Sequence, residues 1–318
     1  MKTNNGYGHA GTKIINSLKE LGHEIGFQYP KAPVQLNFSQ PHLFKLHRDQ
    51  YQISYTPWES TLVPEKWRET LNLVDEIWTT SDWCANVFED AGYKDVRVYP
   101  HGIDPIWSPR RRRENDVIKF LHVGEPAPRK AGQMVVDAFS NLFGNDPRYS
   151  LTLKVYNHNT TRIYNNYIDK NIIGLPNIIY NNIYIINKDM TTEELVQLYH
   201  QHDVLVYPSY GEGFGFIPLQ GLATGMPTIC TEGWAHYDNY LGPLKLKSEL
   251  IDSPWPFPHE GKVFEPNYEH LLELMRDVSV NFKAYSGYYY AQSTKIHQDY
   301  NWNQLTNNAF DHIFKKFV

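Results

Sequence analysis

Short apolar segments alternate with amphipathic segments along most of the 318 residues, and this alternation constrains the fold more than any other feature of the sequence. Segments such as 51–57 and 203–209 are rich in β-branched and aromatic residues, which is typical of buried strands. Segment 131–143 instead repeats apolar residues at helical spacing. Because the connections are short, the pattern predicts parallel sheets covered by helices, an α/β fold class.

A polar stretch divides the alternation into two halves. Residues 106–116 read IWSPRRRREND and form the predicted linker. We therefore predict an N-terminal domain over 1–108 and a C-terminal domain over 117–299, both doubly wound. A last amphipathic helix over 300–318 is expected to pack back on the N-terminal domain. Since ligands of such folds bind at the carboxyl ends of the strands, the site is expected in the cleft between the two domains.

The first glycine-rich stretch, NNGYGHAG, precedes a predicted helix that ends at Gly22. In an α/β domain such a loop follows a strand, and its glycines let a ligand approach the backbone. Here only Met1 to Asn5 precede the first glycine of the loop, Gly6, so the first strand is very short or absent, or the sequence begins later than its relatives. Gly6, Tyr7 and Gly8 are expected to lie in this loop, near a phosphate or an acceptor.

Composition limits the classes of partner. The net charge of −5 and the pI near 6.3 leave no global basic field for nucleic acid, so such binding needs a local patch. The basic run Arg110–Arg113 is either a solvated linker or a binding surface. Two cysteines in apolar context indicate a reducing compartment, and no apolar run approaches 18 residues. We expect a cytoplasmic protein without membrane insertion or a secretory leader.

The segment SYGEGFGFIPLQGLATGMPTICT, residues 209–231, is predicted to run from a strand end through a loop and a helix into a strand. Glu212 would lie at the carboxyl end of the preceding strand. The backbone N–H groups of 213–216 would open the helix and favour an anion such as a phosphate. Gln220, eight residues beyond Glu212, would face the same ligand. These groups suit a nucleotide sugar; the alternative is a common glycine-rich turn with a solvated glutamate cap.

Segment 209–231 resembles the donor motif of retaining GT-B glycosyltransferases of the family 4 type, in which a Glu and a second Glu are separated by seven residues. Segments 6–25, 74–92, 96–104, 120–139 and 191–209 resemble further parts of that family, in the same order. The resemblance implies two Rossmann-like domains facing across a cleft, and transfer of a sugar from a nucleotide-diphosphate sugar with retention. Within the family, the sequence is most similar to enzymes encoded by large tailed phages.

The resemblance also implies roles for residues of the C-terminal domain. Glu212 would face the donor sugar, and the backbone of 213–216 (Gly213, Phe214, Gly215 and Phe216) would lie near sugar and phosphate. Gln220 stands where the family has the Glu that holds the ribose hydroxyls, so it loses a charge-assisted hydrogen bond. Lys130 corresponds to a lysine that binds the diphosphate, with Arg129 beside it compensating for Glu125, where the family commonly has an arginine. The alternative for Arg129 and Lys130 is an ordinary surface helix start.

On the acceptor side, His101 follows a strand in YPHGID and is either an acid, base or phosphate donor, or a turn histidine bonded to backbone. Glu59 follows another strand end beside Trp58, a pairing that suits a sugar or base acceptor. His9 is expected to reach the site as well. In the segment TEGWAHYDNYLGP, the residues expected to shape sugar or acceptor selectivity are Glu232, Trp234 and His236.

The sequence contains no Asp-x-Asp pair, the usual metal-holding signature of the other large glycosyltransferase fold. We therefore expect a metal-independent reaction without a cofactor, in which cations and a helix end stabilise the leaving diphosphate. A double displacement on a carboxylate is the alternative, and nothing in the sequence requires it. A dehydrogenase is disfavoured, because its fingerprint needs GxGxxG directly after a strand, and GYGHAG, residues 6–11, has this spacing but only five residues before it.

The acceptor is open at this level. A modified, hydroxymethylated nucleobase in phage DNA is one candidate, and it would need a basic stripe, for which Arg48, Lys66 and Arg68 are available. A polysaccharide, a lipid or a protein is the alternative. A non-catalytic sugar-nucleotide-binding protein is a further hypothesis, motivated by Glu125 and Gln220. A monomer or small homo-oligomer is expected, and the donor's sugar and nucleotide are not fixed by the sequence.

Overall fold

The computed structural model describes residues 6–27, 29–112, 116–125, 127–155, 181–255, 257 and 259–317. The helices are α1 (Gly6–Glu20), α2 (Glu65–Leu71), α3 (Asp82–Asp90), α4 (Gly132–Phe143), α5 (Thr192–His200), α6 (Phe216–Ala223), α7 (Asp238–Leu241), α8 (Tyr268–Val280), α9 (Phe282–Asp299) and α10 (Trp302–Phe317). The strands are β1 (Val34–Phe38), β2 (Tyr51–Tyr55), β3 (Glu76–Thr79), β4 (Val96–Val98), β5 (Ile118–Gly124), β6 (Tyr149–Val155), β7 (Ile183–Asn187), β8 (Val204–Tyr207), β9 (Thr228–Thr231), β10 (Lys245–Leu246), β11 (Ser248–Asp252) and β12 (Lys262–Pro266).

The N-terminal half is a four-stranded parallel sheet in the order β1-β2-β3-β4. The strand predicted at 51–57 is confirmed, and Ser81 caps α3, since its side chain accepts from the backbone N–H of Cys84. The glycine-rich stretch was expected to be a loop, and this is wrong for its described part. Helix α1 already begins at Gly6, because Gly8 and Gly11 are buried in its packing face. The predicted first strand falls on residues 1–5, which lie outside the described residues.

The C-terminal half is a six-stranded parallel sheet in the order β10-β9-β8-β5-β6-β7. Its central strand β8 is buried at every position, which explains its continuous apolar sequence VLVY. Helix α5 begins with a complete capping box, in which Thr191 and Glu194 satisfy each other's backbone N–H groups. Both sheets place the carboxyl ends of their strands toward the same interdomain cleft, so the α/β prediction with two facing Rossmann-like sheets is confirmed.

The last helix crosses back to the N-terminal sheet. Trp302, Phe310 and Ile313 of α10 pack in one cluster with Ala10 and Ile14 of α1. Helix α9, which the sequence pattern did not predict, precedes it. Its buried face includes Ser286, Tyr289 and Ser293. Because serines occupy buried positions, the sequence does not show the repeated apolar residues by which an amphipathic helix is recognised.

The basic run Arg110–Arg113 follows the first sheet, and at Arg112 it is neither solvated nor available as a binding surface. Arg112 is buried, and its guanidinium donates to the carbonyls of Tyr199, His202 and Thr224. Arg111 is exposed and lies 5.7 Å from the ring centroid of Tyr290. Arg113 lies outside the described residues. The linker therefore anchors the ends of two helices of the C-terminal half.

A hairpin of β11 and β12 connects the two halves at the cleft rim. The backbone N–H of Lys262 donates to Thr61 Oγ1 at 2.7 Å, and the N–H of Thr61 donates to the Lys262 carbonyl at 3.0 Å.

No helix in the described part of the chain has both the length and the apolar character needed to span a bilayer.

Candidate active site

The cleft between the two sheets holds a cavity of about 900 Å³. Sequence-predicted residues that line it are Gly6, Tyr7, His9, Glu59, His101, Arg129, Lys130, Glu212, Gly213, Phe214, Gly215, Phe216 and Gln220. Gly8 belongs to the same turn of α1 but is buried in its packing face. Residues from both halves therefore meet at one place, although some are more than two hundred positions apart in the chain.

Glu212 lies at the centre of this cavity and is buried. One carboxylate oxygen, Oε1, accepts from Ser209 Oγ at 2.7 Å, Tyr207 OH at 2.9 Å and Arg129 Nη1 at 3.0 Å, and also from Lys130 Nζ. Burial alone would raise its pKa, but Lys130 and Arg129 outweigh burial and lower the pKa to about 2. Glu212 is therefore a fixed negative charge, and the alternative of a solvated cap is wrong.

Two cations face this carboxylate from the turn before α4. Lys130 Nζ also donates to Tyr207 OH at 2.9 Å, and Arg129 donates to the carbonyl of Gly211. Burial lowers the pKa of Lys130 and Glu212 opposes that shift; for Arg129, the carboxylates outweigh burial and raise the pKa. Both side chains are largely buried, so the alternative of an ordinary surface helix start is wrong.

Glu59 brings a second carboxylate from the N-terminal half. Its Oε1 lies 3.8 Å from Arg129 Nη2, and its Oε2 lies 3.9 Å from His259 Nδ1. Burial raises the pKa of Glu59, while Arg129 opposes that shift. His259 is on the β11–β12 hairpin and was not predicted from sequence. Arg129 thus lies between carboxylates of both halves.

His101 is buried between aromatic rings. Its Nδ1 lies 3.0 Å from Tyr55 OH, and its ring stacks on Phe216 with centroids 4.9 Å apart. The partner is a tyrosine side chain, so the alternative of a turn histidine bonded to backbone is wrong. Burial lowers the pKa of His101 to about 3, so the imidazole is neutral near pH 7. It can offer a hydrogen bond to a ligand but carries no charge there.

Acid should destabilise the protein through its buried neutral histidines. Burial lowers the pKa of His101 to about 3 and those of His122 and His202 to about 4, whereas a histidine in the unfolded chain has a pKa of about 6.5. Between these values only the unfolded chain binds the protons, so the free energy of unfolding falls as pH drops below 6.5, by about 1.4 kcal/mol per pH unit for each histidine. Urea unfolding at a series of pH values measures this slope. The His101→Asn variant should show a shallower slope, and a flat profile between pH 7.5 and 5 would contradict the prediction.

The loop that carries Glu212 touches the N-terminal half closely. A Cβ on Gly213 would lie 2.2 Å from Pro57 Cβ, and a Cβ on Gly211 would lie 2.4 Å from the carbonyl oxygen of Glu59. The Thr80 hydroxyl donates to the Gly213 carbonyl. Only glycine fits at these two positions while the halves remain in contact.

We expect the Gly213→Ala variant to lose at least about tenfold in turnover, because a shift of about one ångström in a catalytic loop can cost about a hundredfold. The added methyl must push the Glu212 loop away from Pro57. Steady-state kinetics measures the loss. Gly287→Ala is the matched control, since a Cβ there meets nothing within 4 Å. Equal activity of the two variants would show that the loop contact is dispensable.

Four residues predicted to shape selectivity are not among those that line the cavity. Trp58 packs on Trp67, and its indole N–H donates to the Leu62 carbonyl. Trp234 is fully buried and donates to the Ser209 carbonyl. The rings of both tryptophans are buried in the core and do not reach the cavity. The prediction that Trp58 and Trp234 contact the sugar or acceptor is therefore wrong. Both instead hold the backbone of neighbouring loops, at Leu62 and Ser209.

The other two, Glu232 and His236, lie beyond β9. The Glu232 backbone N–H pairs with Leu246, and His236 Nδ1 lies 3.5 Å from Asp82 Oδ2 at the contact between the halves. Within the described residues neither reaches the cavity lining. His9 does line it, and its Nε2 lies 3.4 Å from Asp104 Oδ2.

Sequence reasoning missed several lining or supporting residues. Those that share a strand end or helix start at the cavity are Phe38, Lys154, Asp189, Thr191, Leu195 and Tyr207. Tyr207 and Ser209 could have been found, because they end strand β8 just before Glu212 and carry hydroxyls. Phe38 could not, because strand β1 itself was not recognised in the mixed sequence VQLNF.

The fold resembles solved glycosyltransferases. HepE from Anabaena, solved with UDP and glucose, superposes with a TM-score of 0.68 at 11% identity, over 98% of this chain and 84% of that one. Sucrose-phosphate synthase from Thermosynechococcus elongatus gives a TM-score of 0.61 at 15% identity, over 85% and 68%. Residues 117–239, which include Arg129, Lys130, Glu212 and Gln220, match the family model described as glycosyl transferases group 1. The chain has the GT-B fold, and the match over residues 117–239 indicates a glycosyltransferase.

Related sequences of this glycosyltransferase come from viruses and bacteria. A protein of Sulfolobus islandicus filamentous virus that carries the name glycosyltransferase 45 is 22% identical over 310 residues, 86% of this chain and 80% of that protein. The D-inositol 3-phosphate glycosyltransferase of Corynebacterium efficiens is 28% identical over 151 residues, 42% of this chain and 32% of that enzyme. The bacterial match thus spans only part of each protein.

Proposed function

We propose that the cleft binds a nucleotide-diphosphate sugar with the sugar at Glu212 and the nucleoside at Gln220. The observation that carries the proposal is the asymmetric bonding of Glu212. Four protein donors converge on Oε1, whereas Oε2 accepts no hydrogen bond within the described part of the chain and belongs to a cavity-lining residue. A carboxylate held by one oxygen can offer the other to a sugar hydroxyl.

The lining residues differ in chemistry, and this supports the orientation. Glu59 and Glu212 both lie against Arg129, and Tyr7 lines the same cavity. Met190, Leu195 and Ile217 line the cavity together with Gln220. A nucleobase favours such an apolar surface, whereas a sugar favours hydroxyl and carboxylate partners. The diphosphate would then lie between them, at Arg129 and Lys130.

We propose that Lys130, Arg129 and the backbone N–H groups opening α6 stabilise the charge that develops on the leaving diphosphate. In this proposal the reaction needs neither a metal ion nor another cofactor, because the cations supply the charge. Retention of the anomeric configuration is part of the proposal and is supported by the resemblance of segment 209–231 to retaining enzymes. Proton NMR of the transferred sugar's anomeric signal, recorded early in the reaction, tests retention; turnover in the presence of EDTA tests the need for a metal.

The acceptor we propose is a hydroxymethylated nucleobase in viral DNA. The similarity to a protein of an archaeal virus supports a virus-encoded enzyme, acting in the host cytoplasm. Two buried cysteines, Cys84 and Cys230, both free, suit that reducing compartment. Of the basic residues available for DNA, Arg68 is already paired with Glu65 at 2.8 Å, so Arg48 and Lys66 are the better candidates.

Incubation with radiolabelled nucleotide sugars and a panel of acceptors tests the function. The panel holds hydroxymethylcytosine DNA, unmodified DNA, a polysaccharide, a lipid extract and a protein, and products are read by mass spectrometry. Label on hydroxymethylated DNA alone supports the proposal, and label on another acceptor replaces it. Tight donor binding without hydrolysis or transfer, equal in wild type and Glu212→Ala, would instead identify a non-catalytic binder. Light scattering in the same buffer tests the expected monomer or small homo-oligomer.

A further inference from the structure

Glu59 is a carboxylate of the cavity lining that accepts no hydrogen bond from the described residues. Its Oε1 lies 3.8 Å from Arg129 Nη2, and its Oε2 lies 3.9 Å from His259 Nδ1, so both nitrogens are beyond hydrogen-bond distance. His259 Nδ1 is itself buried and has no hydrogen-bond partner within the described part of the chain. Glu212 differs, because four donors converge on its Oε1. The oxygens of Glu59 are therefore available to a ligand.

Arg129 serves the carboxylates of both halves. Its Nη1 donates to Glu212 at 3.0 Å, while its Nη2 faces Glu59. Burial raises the pKa of Glu59, and the charge of Arg129 opposes that shift. A diphosphate bound to Arg129 would neutralise this cation and bring negative charge of its own, and both changes raise the pKa of a neighbouring carboxyl. Glu212 stays ionised, because Lys130 and Arg129 outweigh burial and lower its pKa to about 2, so the proton goes to Glu59.

The distance between Glu59 and Arg129 fits a phosphate oxygen that both side chains contact. Two groups 3.8 Å apart can each lie about 2.8 Å from one oxygen that sits beside them. An ionised carboxylate would repel that oxygen, because it has only acceptors to offer, whereas a protonated carboxyl donates its O–H. His259 faces the other oxygen, Oε2, which leaves Oε1 on the Arg129 side to carry the proton.

We propose that Glu59 belongs to the diphosphate site, as a carboxyl that takes up a proton when the nucleotide sugar binds and donates a hydrogen bond to a phosphate oxygen beside Arg129. The proposal rests on the proposed function, because that function places the diphosphate at Arg129. Since binding takes up a proton, affinity for the nucleotide sugar rises as the pH falls. The charged and titratable groups that face Glu59 are Arg129 and Lys130 before α4, Glu125 after β5, Glu212 after β8, His259 on the β11–β12 hairpin, Tyr7 of α1 and Cys84 of α3.

Isothermal titration calorimetry with UDP-glucose and GDP-mannose tests the proposal. The diphosphate of both compounds is esterified at each end, so the ligand itself neither gains nor loses a proton near neutral pH. Titrations at several pH values, in buffers of different ionisation enthalpy, give the number of protons taken up, and the nucleotide sugar that binds more tightly is used. In the wild type we expect a maximum uptake of about half a proton or more, with a dissociation constant that rises about three- to tenfold per pH unit there.

The Glu59→Gln variant should take up no proton, because its amide does not titrate. Its N–H group donates to the phosphate at every pH, so its dissociation constant should change by less than about twofold per pH unit. His259→Asn is the matched control. Burial and the charge of Arg129 lower the pKa of His259 to about 4, so this histidine also faces the site and could gain a proton there. The control should keep the proton uptake of the wild type.

Binding without proton uptake in the wild type would overturn the proposal, as would uptake that persists in Glu59→Gln or disappears in His259→Asn. The wild-type measurement decides the matter even where a variant does not fold. Failure of the proposed function looks different, because then neither nucleotide sugar binds to the wild type at any pH, and the proposal fails with it.

Discussion

Replacing Glu212 by glutamine is expected to reduce sugar transfer by about a thousandfold, the loss typical when one preorganised electrostatic partner of the reacting centre is removed. The variant keeps the size and most hydrogen-bonding geometry of the side chain but loses its charge. It should nevertheless bind the free nucleoside diphosphate more tightly, by roughly three- to tenfold. The reason is that Lys130 and Arg129 no longer share their charge with a carboxylate. Steady-state kinetics and calorimetry measure the two effects.

Glu125→Gln is the control for this pair of effects. Glu125 lines the same cavity but is exposed. Removing its charge should also favour an incoming diphosphate, yet turnover should stay within a few-fold of the wild type. If Glu212→Gln binds the nucleoside diphosphate more weakly than the wild type, Glu212 does not compete for the two cations. If it retains full turnover, Glu212 does not contact the sugar.

The opposite directions expected for turnover and product binding follow from the charge balance of the cleft. Carboxylates outnumber cations among the described lining residues, with Glu59, Glu125, Asp189, Glu194 and Glu212 against Arg129, Lys130 and Lys154. In the proposed binding mode, the diphosphate competes with Glu212 for the two central cations, Arg129 and Lys130. This competition is expected to weaken binding of the product, and the proposed contact of Glu212 with the sugar is expected to favour the donor over the product.

The sequence could predict the strands and the strand-end residues because their signals are local. Strands β5 and β8 are apolar because they are buried in a parallel sheet, and Glu212 follows β8 directly. The partners of Glu212 could only be inferred from the resemblance. Arg129 lies 83 positions away in the chain, and the contact depends on how two loops end on one sheet edge.

Aromatic residues show why the predictions for Trp58 and Trp234 were wrong. Trp58 and Trp234 stand beside predicted site residues in sequence, but both rings point into packed interior. Trp58 and Glu59 lie in the irregular segment after β2, where Glu59 lines the cleft while Trp58 fills the core. Composition alone could not separate an aromatic ligand platform from an aromatic core. Helix α9 was missed for the related reason that serines and tyrosines, not leucines, form its buried face.

Replacing Arg112 by methionine is expected to lower the free energy of unfolding by about 3–5 kcal/mol, since three buried carbonyls each lose a hydrogen bond to a charged group at once. The guanidinium donates to Tyr199 and His202 at the end of α5 and to Thr224 at the end of α6, over 2.7–2.9 Å. The Thr224 carbonyl also accepts from the backbone N–H of Arg110 at 3.0 Å, and the Tyr199 carbonyl from that of His202 at 3.3 Å, so these two carbonyls keep one partner each. Methionine fills the volume but offers no donor. Urea unfolding followed by circular dichroism measures the loss.

Arg111→Met is the matched control for the Arg112 variant, because it removes the same charge from the adjacent, exposed position. It should cost less than about 1 kcal/mol, as expected for an exposed charge. Arg112→Lys should fall between the two, because an ammonium cannot reach carbonyls that the planar guanidinium spans. Burial lowers the pKa of Arg112 to about 9, so the charge persists at neutral pH and the helix ends meet a cation. Equal stability of the Arg111 and Arg112 variants would mean that water satisfies these carbonyls, and the helix ends that position Gln220 would then be held by apolar packing alone.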